Sequence, residues 1–439
     1  MNGAPGALQS RDPPPRTAGK SPPRTKTRKP AIPTDCGFFF VFQCFAGFWL
    51  LQYNNINFNF RKQKQFLICP ERFDTIKKIA DRGKGDCKRM SHSVTSRQLL
   101  DLCGKIFEKA GLKPEDALSV ASLLVDAERR GMQSHGVNRV TQYVNNLSAG
   151  GAKPHPDIRI LSETETTAVI DADCALGAVS SELAVRIARE KAMAHGIGYV
   201  TVKNCSHFGM GAHWTLKLAG DDMIGFTGST TNPSMAAPGG INAVVGNNPF
   251  GVGLNGEKYK EIAIDQACSV SAKGRAVMMA KQGMEIPMGW FLDENGEPTN
   301  DLSKVSTMVP MAAHKGYGIA FGIEVLSGFL SGGALPQNMN SQSDSKSCEL
   351  ANQFFAAVNI SFFRDPADFK KSLDEYIDWV KLSKLKAGVD SVKYPGEIEH
   401  DASVRAEKEG IRLPDPVARD LIGHAVKFGL EPSDYAFLQ

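Results

Sequence analysis

From residue 96 onward the chain alternates apolar and polar positions at two distinct periods. Leu99, Leu100, Cys103, Ile106 and Phe107 recur at intervals of three and four behind Thr95 or Ser96, either of which can cap a helix. KPEDALSVASLLVDAERRGM continues at the same period, with Pro114, Glu115 and Asp116 in its first turn and a close near Gly131. Ser134 can cap a further helix that ends at Gly150-Gly151, so the pattern predicts helix throughout residues 96–148. The period then shifts. TAVIDADC (167–174), GIGYVTVKNC (196–205), MIGFTGST (223–230) and EIAIDQAC (261–268) read as strands, with SSELAVRIAREKAMAHG as a helix between the first two. Residues 225–256 are rich in Gly, Asn and Pro and read as loop between strands, and 341–349 as a polar surface loop. Residues 316–331 form an apolar helix. DPADFKKSLDEYIDWVKLSK and PDPVARDLIGHAVKFGL return the tail to helix. Strands alternating with helices indicate an α/β fold with a largely buried sheet.

Composition changes this picture at the N-terminus only. The chain has 439 residues, 42% hydrophobic and 22% charged, enough for one large domain or two to three ordinary ones. Residues 1–89 carry 17 Lys+Arg against 6 Asp+Glu, whereas residues 90–439 carry 34 against 41. The mildly acidic body gives no argument for nucleic acid. Residues 1–35, rich in Pro, Arg and Lys, cannot bury a core and are expected to be disordered. GFFFVFQCFAGFWLLQ (37–52) is shorter than the roughly 20 residues that span a bilayer. It is open to three readings: a targeting or anchor segment, a buried element, or a stretch foreign to the fold, in which case Met90 is the working initiator and residues 1–89 form an extension outside the fold. The nine cysteines include no C-x-x-C pair and read as reduced thiols; no metal site is expected.

Five stretches carry candidate chemistry. In GMQSHGVNRVTQYVNNL (131–147) the helical period lines up His135, Arg139 and Tyr143 on one face. Arg offers a planar fork for a carboxylate, His moves a proton near neutral pH, and Tyr143 could hold a second oxygen, a set suited to an α-keto or α-hydroxy acid. A lone His on a helix is otherwise more often a core or surface residue. In KNCSHFGMGAHW (203–214), His207 follows a strand, where α/β proteins put ligand groups; it equally suits a helix cap, and His213 reads as an ordinary helix residue. Asp265, at the end of a strand, is either a cap for the next helix or a contact to a ribose or ring, and Lys315 precedes a helix N-terminus that attracts phosphate. YPGEIEH, with Glu397, reads as a turn. GMG at 209–211 lacks the full G-x-G-x-x-G spacing and gives no support to a Rossmann reading, and the absence of H-E-x-x-H, G-x-S-x-G and the Walker A pattern removes the metalloprotease, serine hydrolase and P-loop readings.

Taken in order, RRGMQSHGVNR, KNCSHFG, APGGINAVVGNNPFG, IDQACSVSAKG, IPMGWFLDENGEPTND, HKGYG and YPGE resemble the malate/L-lactate dehydrogenase family of the non-Rossmann type, over residues 91–432. That family also holds sulfolactate, ureidoglycolate and diketogulonate dehydrogenases or reductases and cyclic-imine reductases. The resemblance implies a mixed-sheet NAD(P) domain at 166–365 and a helical domain built from both chain ends, 90–165 and 366–439. It implies His135 as catalytic acid/base and Arg139 as carboxylate clamp, with Ser134, Tyr143 and His207 in the same pocket. Cofactor contacts are implied for Ile262, Ile264 and Asp265 at a strand end, for His314 and Lys315, and for Gly396 and Glu397. It further implies NAD or NADP, with NAD favoured, a homodimer, and a cytoplasmic enzyme without membrane attachment of the body; a mitochondrial or membrane-anchored protein follows only if residues 1–89 function. Two departures stand out: MVPMAA precedes HKGYG where the family more often has a Gly pair, and Asn247-Asn248 replaces Gly-Thr-Asn.

The expectation is hydride transfer between a nicotinamide and a small 2-hydroxy or 2-keto acid, malate/oxaloacetate first. The alternatives are reduction of another 2-keto acid or a cyclic imine, and a non-catalytic binding protein on this fold.

Overall fold

Thr95 opens the first helix through a reciprocal cap: its hydroxyl accepts the Gln98 N–H, and the Gln98 side chain accepts the Thr95 N–H. The computed structural model describes residues 92–439 except Gln282. Everything expected of residues 1–91, including the apolar 37–52 stretch and Met90 as a start, lies outside the described residues.

Strand β1 (His92–Val94) leads into α1 (Ser96–Lys109), α2 (Pro114–Arg129) and α3 (Val140–Ala149). There follow β2 (Arg159–Glu163), β3 (Thr167–Asp171), α4 (Gly177–His195), β4 (Ile197–Cys205), α5 (Gly211–Ala219) and β5 (Met223–Ser229). Short strands β6 (Met235–Ala236) and β7 (Ala243–Val245) precede β8 (Phe250–Leu254), β9 (Ile262–Gln266) and α6 (Lys273–Lys281). Then come β10 (Phe291–Leu292), β11 (Pro298–Thr299), β12 (Thr307–Met308), α7 (His314–Glu324), which runs on through a π turn at Val325–Phe329, and β13 (Ala351–Asn359). Helices α8 (Pro366–Lys381) and α9 (Glu397–Glu409), strand β14 (Ile411–Leu413) and α10 (Asp415–Lys427) complete the chain.

The main sheet has seven strands in the order β2-β3-β4-β13-β5-β8-β9. Only β3 and β4 run parallel, joined by α4 as crossover; every other neighbour is antiparallel, so the sheet is mixed. A five-stranded sheet, β11-β10-β12-β6-β7, is separate, and β1 pairs with β14, tying the first helices to the last. One apolar core joins Leu99 and Phe107 of α1, Leu124 of α2, Val202 of β4, Trp214 of α5, Phe355 of β13 and Leu421 of α10. Each such side chain contributes about 1.5–3 kcal/mol by its burial. Among the described residues no helix is long and apolar enough to cross a membrane.

Two sequence expectations are corrected. Residues 96–148 are not one helical run: between α2 and α3 the backbone makes two 3-10 turns, Gln133–His135 and Val137–Arg139, divided by extended Gly136. The glycine-rich region 225–256 is not all loop, because glycines of β5 and β8 pair directly, Gly225 opposite Gly253; the α5 backbone packs so close that a Cβ on Gly225 or Gly253 would lie under 3 Å from Thr215. The YPGE segment forms the expected turn, the Glu397 N–H donating to the Tyr394 carbonyl at 3.1 Å, and leads directly into α9, with Gly396 at φ +87° as its cap.

Candidate active site

A buried acid ties together the break between α2 and α3. Helix α2 is closed by Gly131, φ +78°, where the Gly131 and Met132 N–H groups return to the Glu128 and Ala127 carbonyls, and Glu128 turns its carboxylate back to accept the Val137 N–H at 3.0 Å, holding the turns that carry His135 and Arg139 against α2. Gly136 is required there by space rather than by backbone angle: a Cβ would come within 1.9 Å of Glu128 Oε2. Burial pushes the Glu128 carboxyl up to about 7. Ser134, expected as a helix cap, makes no cap bond.

His135 Nδ1 lies 2.9 Å from Ser134 Oγ, and its ring stacks on that of His207 with centroids 5.4 Å apart and planes 28° from parallel. A hydroxyl can donate to a bare Nδ1 or accept from a protonated one, so Ser134 supports both states of the ring. His207, beyond the end of β4, meets the Tyr143 hydroxyl at 2.8 Å through Nδ1. Tyr143 is 1% exposed, and burial pushes its phenol up, so it keeps its proton. Where the phenol donates to Nδ1, the His207 proton sits on Nε2. Tyr143 thus orients His207, and its hydroxyl is committed to that ring.

Arg139 donates from Nε to the Ser134 carbonyl at 2.7 Å and from Nη1 to Gln142 Oε1 at 2.6 Å. Gln142 in turn donates to the Gln342 carbonyl at 3.2 Å. These bonds fix the guanidinium plane and leave the Nη1/Nη2 edge able to meet a carboxylate. Burial first, and the Arg139 charge second, lower the His135 pKa to about 4; the same causes hold His207 well below the ordinary histidine range, together with His135 itself. Both rings are neutral at pH 7 in the free protein.

Sequence reasoning missed Glu349, which was assigned to a polar surface loop. It is buried, its Oε2 accepts the His207 N–H at 2.9 Å, and burial pushes it up to about 7 against the pull of that bond and of Arg139. Nothing in SQSDSKSCE distinguishes this acid from a solvated one. His213, read as an ordinary helix residue, instead bonds Asp126 at 2.9 Å. Asp126 also accepts from Arg129 and Arg130, and Arg130 holds Glu261 bidentately at 2.9 and 3.0 Å.

Beside this cluster lies a cavity of about 510 Å³ whose wall includes Met132 and Met210, three residues from His135 and His207 respectively. Of the expected cofactor residues, Ile264, Asp265 and Gly396 line it. Asp265 caps a helix, but of α5, which precedes it: its carboxylate accepts the Ala212 N–H at 2.8 Å and a bond from Gly211, while burial pushes it up to about 6. Gly396 sits on β9, where the Pro395 carbonyl accepts the Ala263 N–H at 3.1 Å and a Cβ would come 2.7 Å from that nitrogen. Ile262 is buried against Ile377 and Tyr394. Glu397 does not line the cavity: Lys381 and Lys393 grip its carboxylate, and it accepts the Tyr394 N–H, so Glu399 occupies the wall in its place. His314 and Lys315 are the exposed first residues of α7, away from this wall. Among the described residues no group of three or more His, Cys, Asp or Glu could hold a metal ion, and Cys103, Cys174, Cys205, Cys268 and Cys348 are free.

The family profile described as malate/L-lactate dehydrogenase matches residues 94–422. The L-sulfolactate dehydrogenase of Methanocaldococcus jannaschii is 33% identical over 332 residues, 75% of this chain and 95% of that protein. A malate dehydrogenase of Pyrococcus abyssi is 33% identical over 69% of this chain and 86% of its own length, and the ureidoglycolate dehydrogenase (NAD(+)) of Escherichia coli K12 is 30% identical over 72% and 91%. Among solved structures, the M. jannaschii sulfolactate dehydrogenase superposes with a TM-score of 0.73 at 32% identity, covering 78% of this chain and 99% of that one. Family profile, sequence relatives and fold agree: the chain belongs to the malate/L-lactate dehydrogenase family and is an oxidoreductase of hydroxy acids.

Proposed function

We propose that the protein interconverts a small 2-hydroxy acid and its 2-keto acid with NAD as cofactor, malate/oxaloacetate being the first pair to test. The observation that carries this reading is the run Ser134, His135, His207 and Tyr143 beside the open edge of Arg139. Arg139 receives the substrate carboxylate and so fixes the carbonyl's orientation. His207 offers its Nε2–H to the carbonyl oxygen, where negative charge grows during reduction. His135 delivers the proton to that oxygen from Nε2, and neutral His135 takes it back in the oxidation direction. Because the Arg139 charge helps keep free His135 neutral, a carboxylate on Arg139 relieves that repulsion and favours proton uptake by His135. Binding the acid therefore arms the donor.

The nicotinamide, when bound, supplies the hydride. The cavity suits it in size, falling within the roughly 300–1,000 Å³ of ligand pockets. Its wall holds Glu261, Asp265 and Glu399, and its one arginine, Arg130, is already paired with Glu261. An acidic wall suits a ribose diol better than a phosphate, which supports NAD over NADP. For assembly we infer a homodimer, since Phe321, Phe329 and Leu330 at α7 and the turn after it are each more than half exposed, an apolar face a second copy would cover.

The test is an initial-rate panel on the full chain, NADH and NADPH each with oxaloacetate and pyruvate. Turnover favouring NADH supports the reading. Binding of NADH without turnover of either acid would move the chain to an imine substrate or a binding role.

A further inference from the structure

The mechanism above leaves one acid of the site unused. Glu349 precedes β13, is 5% exposed, and spends Oε2 on the His207 backbone. Among the described residues no donor reaches its Oε1. Arg139 and Tyr143 lie within its electrostatic reach, as does the Cys205 thiol at the end of β4. Arg139 is also the cation acting on His135 and His207, and the one further positive charge bearing on these groups among the described residues is His135 itself when protonated, which acts on His207. With His135 neutral, the grip thus contains one positive charge, on Arg139, and one buried carboxylate that forms no ion pair among the described residues. A substrate carboxylate at Arg139 uses the positive charge. A second negative charge, on the substrate's tail, then has no cation to meet and finds a buried acid instead.

We propose that Glu349 sets which tail a 2-keto acid may bring into the site: a dianionic acid binds only when Glu349 carries a proton, whereas a monoanionic acid with an uncharged tail binds in either state. This rests on the proposed function and adds the specificity of the same site. Protonated Glu349 donates an O–H to the tail carboxylate and forms a carboxyl–carboxylate pair; ionised Glu349 repels it. Burial pushes Glu349 up to about 7, so the change of state falls in the neutral range. The groups facing it hold their states there. His207 is held low and stays neutral, and Tyr143 and Cys205 are pushed up and keep their protons, as is the adjoining Cys348.

The experiment measures kcat/KM for oxaloacetate and for pyruvate with NADH on the full chain from pH 6 to 9. The ratio of oxaloacetate to pyruvate is expected to fall about tenfold per pH unit above the Glu349 midpoint. In Glu349→Gln, which still accepts the His207 N–H but cannot ionise, the ratio becomes independent of pH. A flat ratio in the wild type, or an unchanged slope in the variant, overturns the proposal. Proton uptake at pH 8 gives a reading that needs no variant: binding of oxaloacetate takes up about one proton more than binding of pyruvate, and equal uptake overturns the proposal. Turnover of neither acid overturns the proposed function and this inference with it, whereas turnover with a pH-independent ratio overturns this inference alone.

Discussion

Replacing Gly136 by alanine tests how the site is built. The backbone there has φ −85°, which any residue adopts, so the cost comes from space alone. The new Cβ would stand 1.9 Å from Glu128 Oε2 and 2.9 Å from its carboxyl carbon, but 3.4 Å from the Glu128 Cα, so the carboxylate must move while the helix backbone can stay. Moving it strips the Val137 N–H of its partner, costing about 1–3 kcal/mol, and crowding adds about 1–3 kcal/mol. The lower entropy of unfolded alanine returns about 0.4–1 kcal/mol. The net expectation is a loss of about 3 kcal/mol in urea unfolding followed by circular dichroism. Since the same bond sets the turn that carries His135, a displacement of about 1 Å there costs about 100-fold in kcat/KM. In a Glu128→Ala background the clash is gone, and Gly136→Ala should then cost under about 1 kcal/mol, a strong coupling between neighbours. If Gly136→Ala unfolds within about 0.5 kcal/mol of wild type, or the two changes add, the carboxylate does not hold the turns after α2.

Arg139→Lys keeps the charge but loses the Nε bond to Ser134 and the planar edge, so KM for the keto acid rises and kcat falls, together by at least about 100-fold in kcat/KM; wild-type constants in this variant would remove the clamp. Ala313 holds φ +54° and Ala312 φ +47°, where the family more often has a Gly pair, so Ala313→Gly should stabilise by about 1 kcal/mol, read as a raised midpoint in thermal or urea unfolding. The oxidation direction needs neutral His135, whose pKa is lowered to about 4, so the acid limb of kcat/KM falls near pH 4 and not near 6.5. In stability the sign is the same: the unfolded chain protonates this histidine first as pH falls through 6.5, so stability declines between about 6.5 and 4. An acid limb near 6.5 would contradict the buried, Arg139-facing histidine.

What the sequence made legible follows from whether a signal is local. β3, β4, β5 and β9 announce themselves by β-branched and apolar runs, and the capping box at Thr95 and Gln98 spans three residues. Central strand β13 was unread because Asn352 and Gln353 look solvated; both are buried, their amides donating to the Ala334 and Ser206 carbonyls across the fold. The residues His135, Arg139 and Tyr143 were singled out by helical period, yet the helix does not exist as drawn. Two 3-10 turns and α3 carry them, and Glu128, nine residues from Val137, ties those turns to α2 through a bond that no local pattern encodes. Asp265 was read as a cap or a ligand contact; it caps α5, 53 residues earlier in the chain, and lines the cavity as well. Glu349 escaped because burial makes it chemical, and burial of a loop acid depends on β4 and α3 arriving around it.

The most direct test of the central claim is His135→Ala in the full chain, measuring NADH binding by fluorescence beside NADH oxidation with oxaloacetate. The account predicts NADH binding close to wild type, because His135 does not line the cavity, and kcat lowered by about 10²–10⁴, the contribution of a positioned proton donor. Turnover within threefold of wild type, with NADH still bound, would contradict the assignment of His135 as the proton donor.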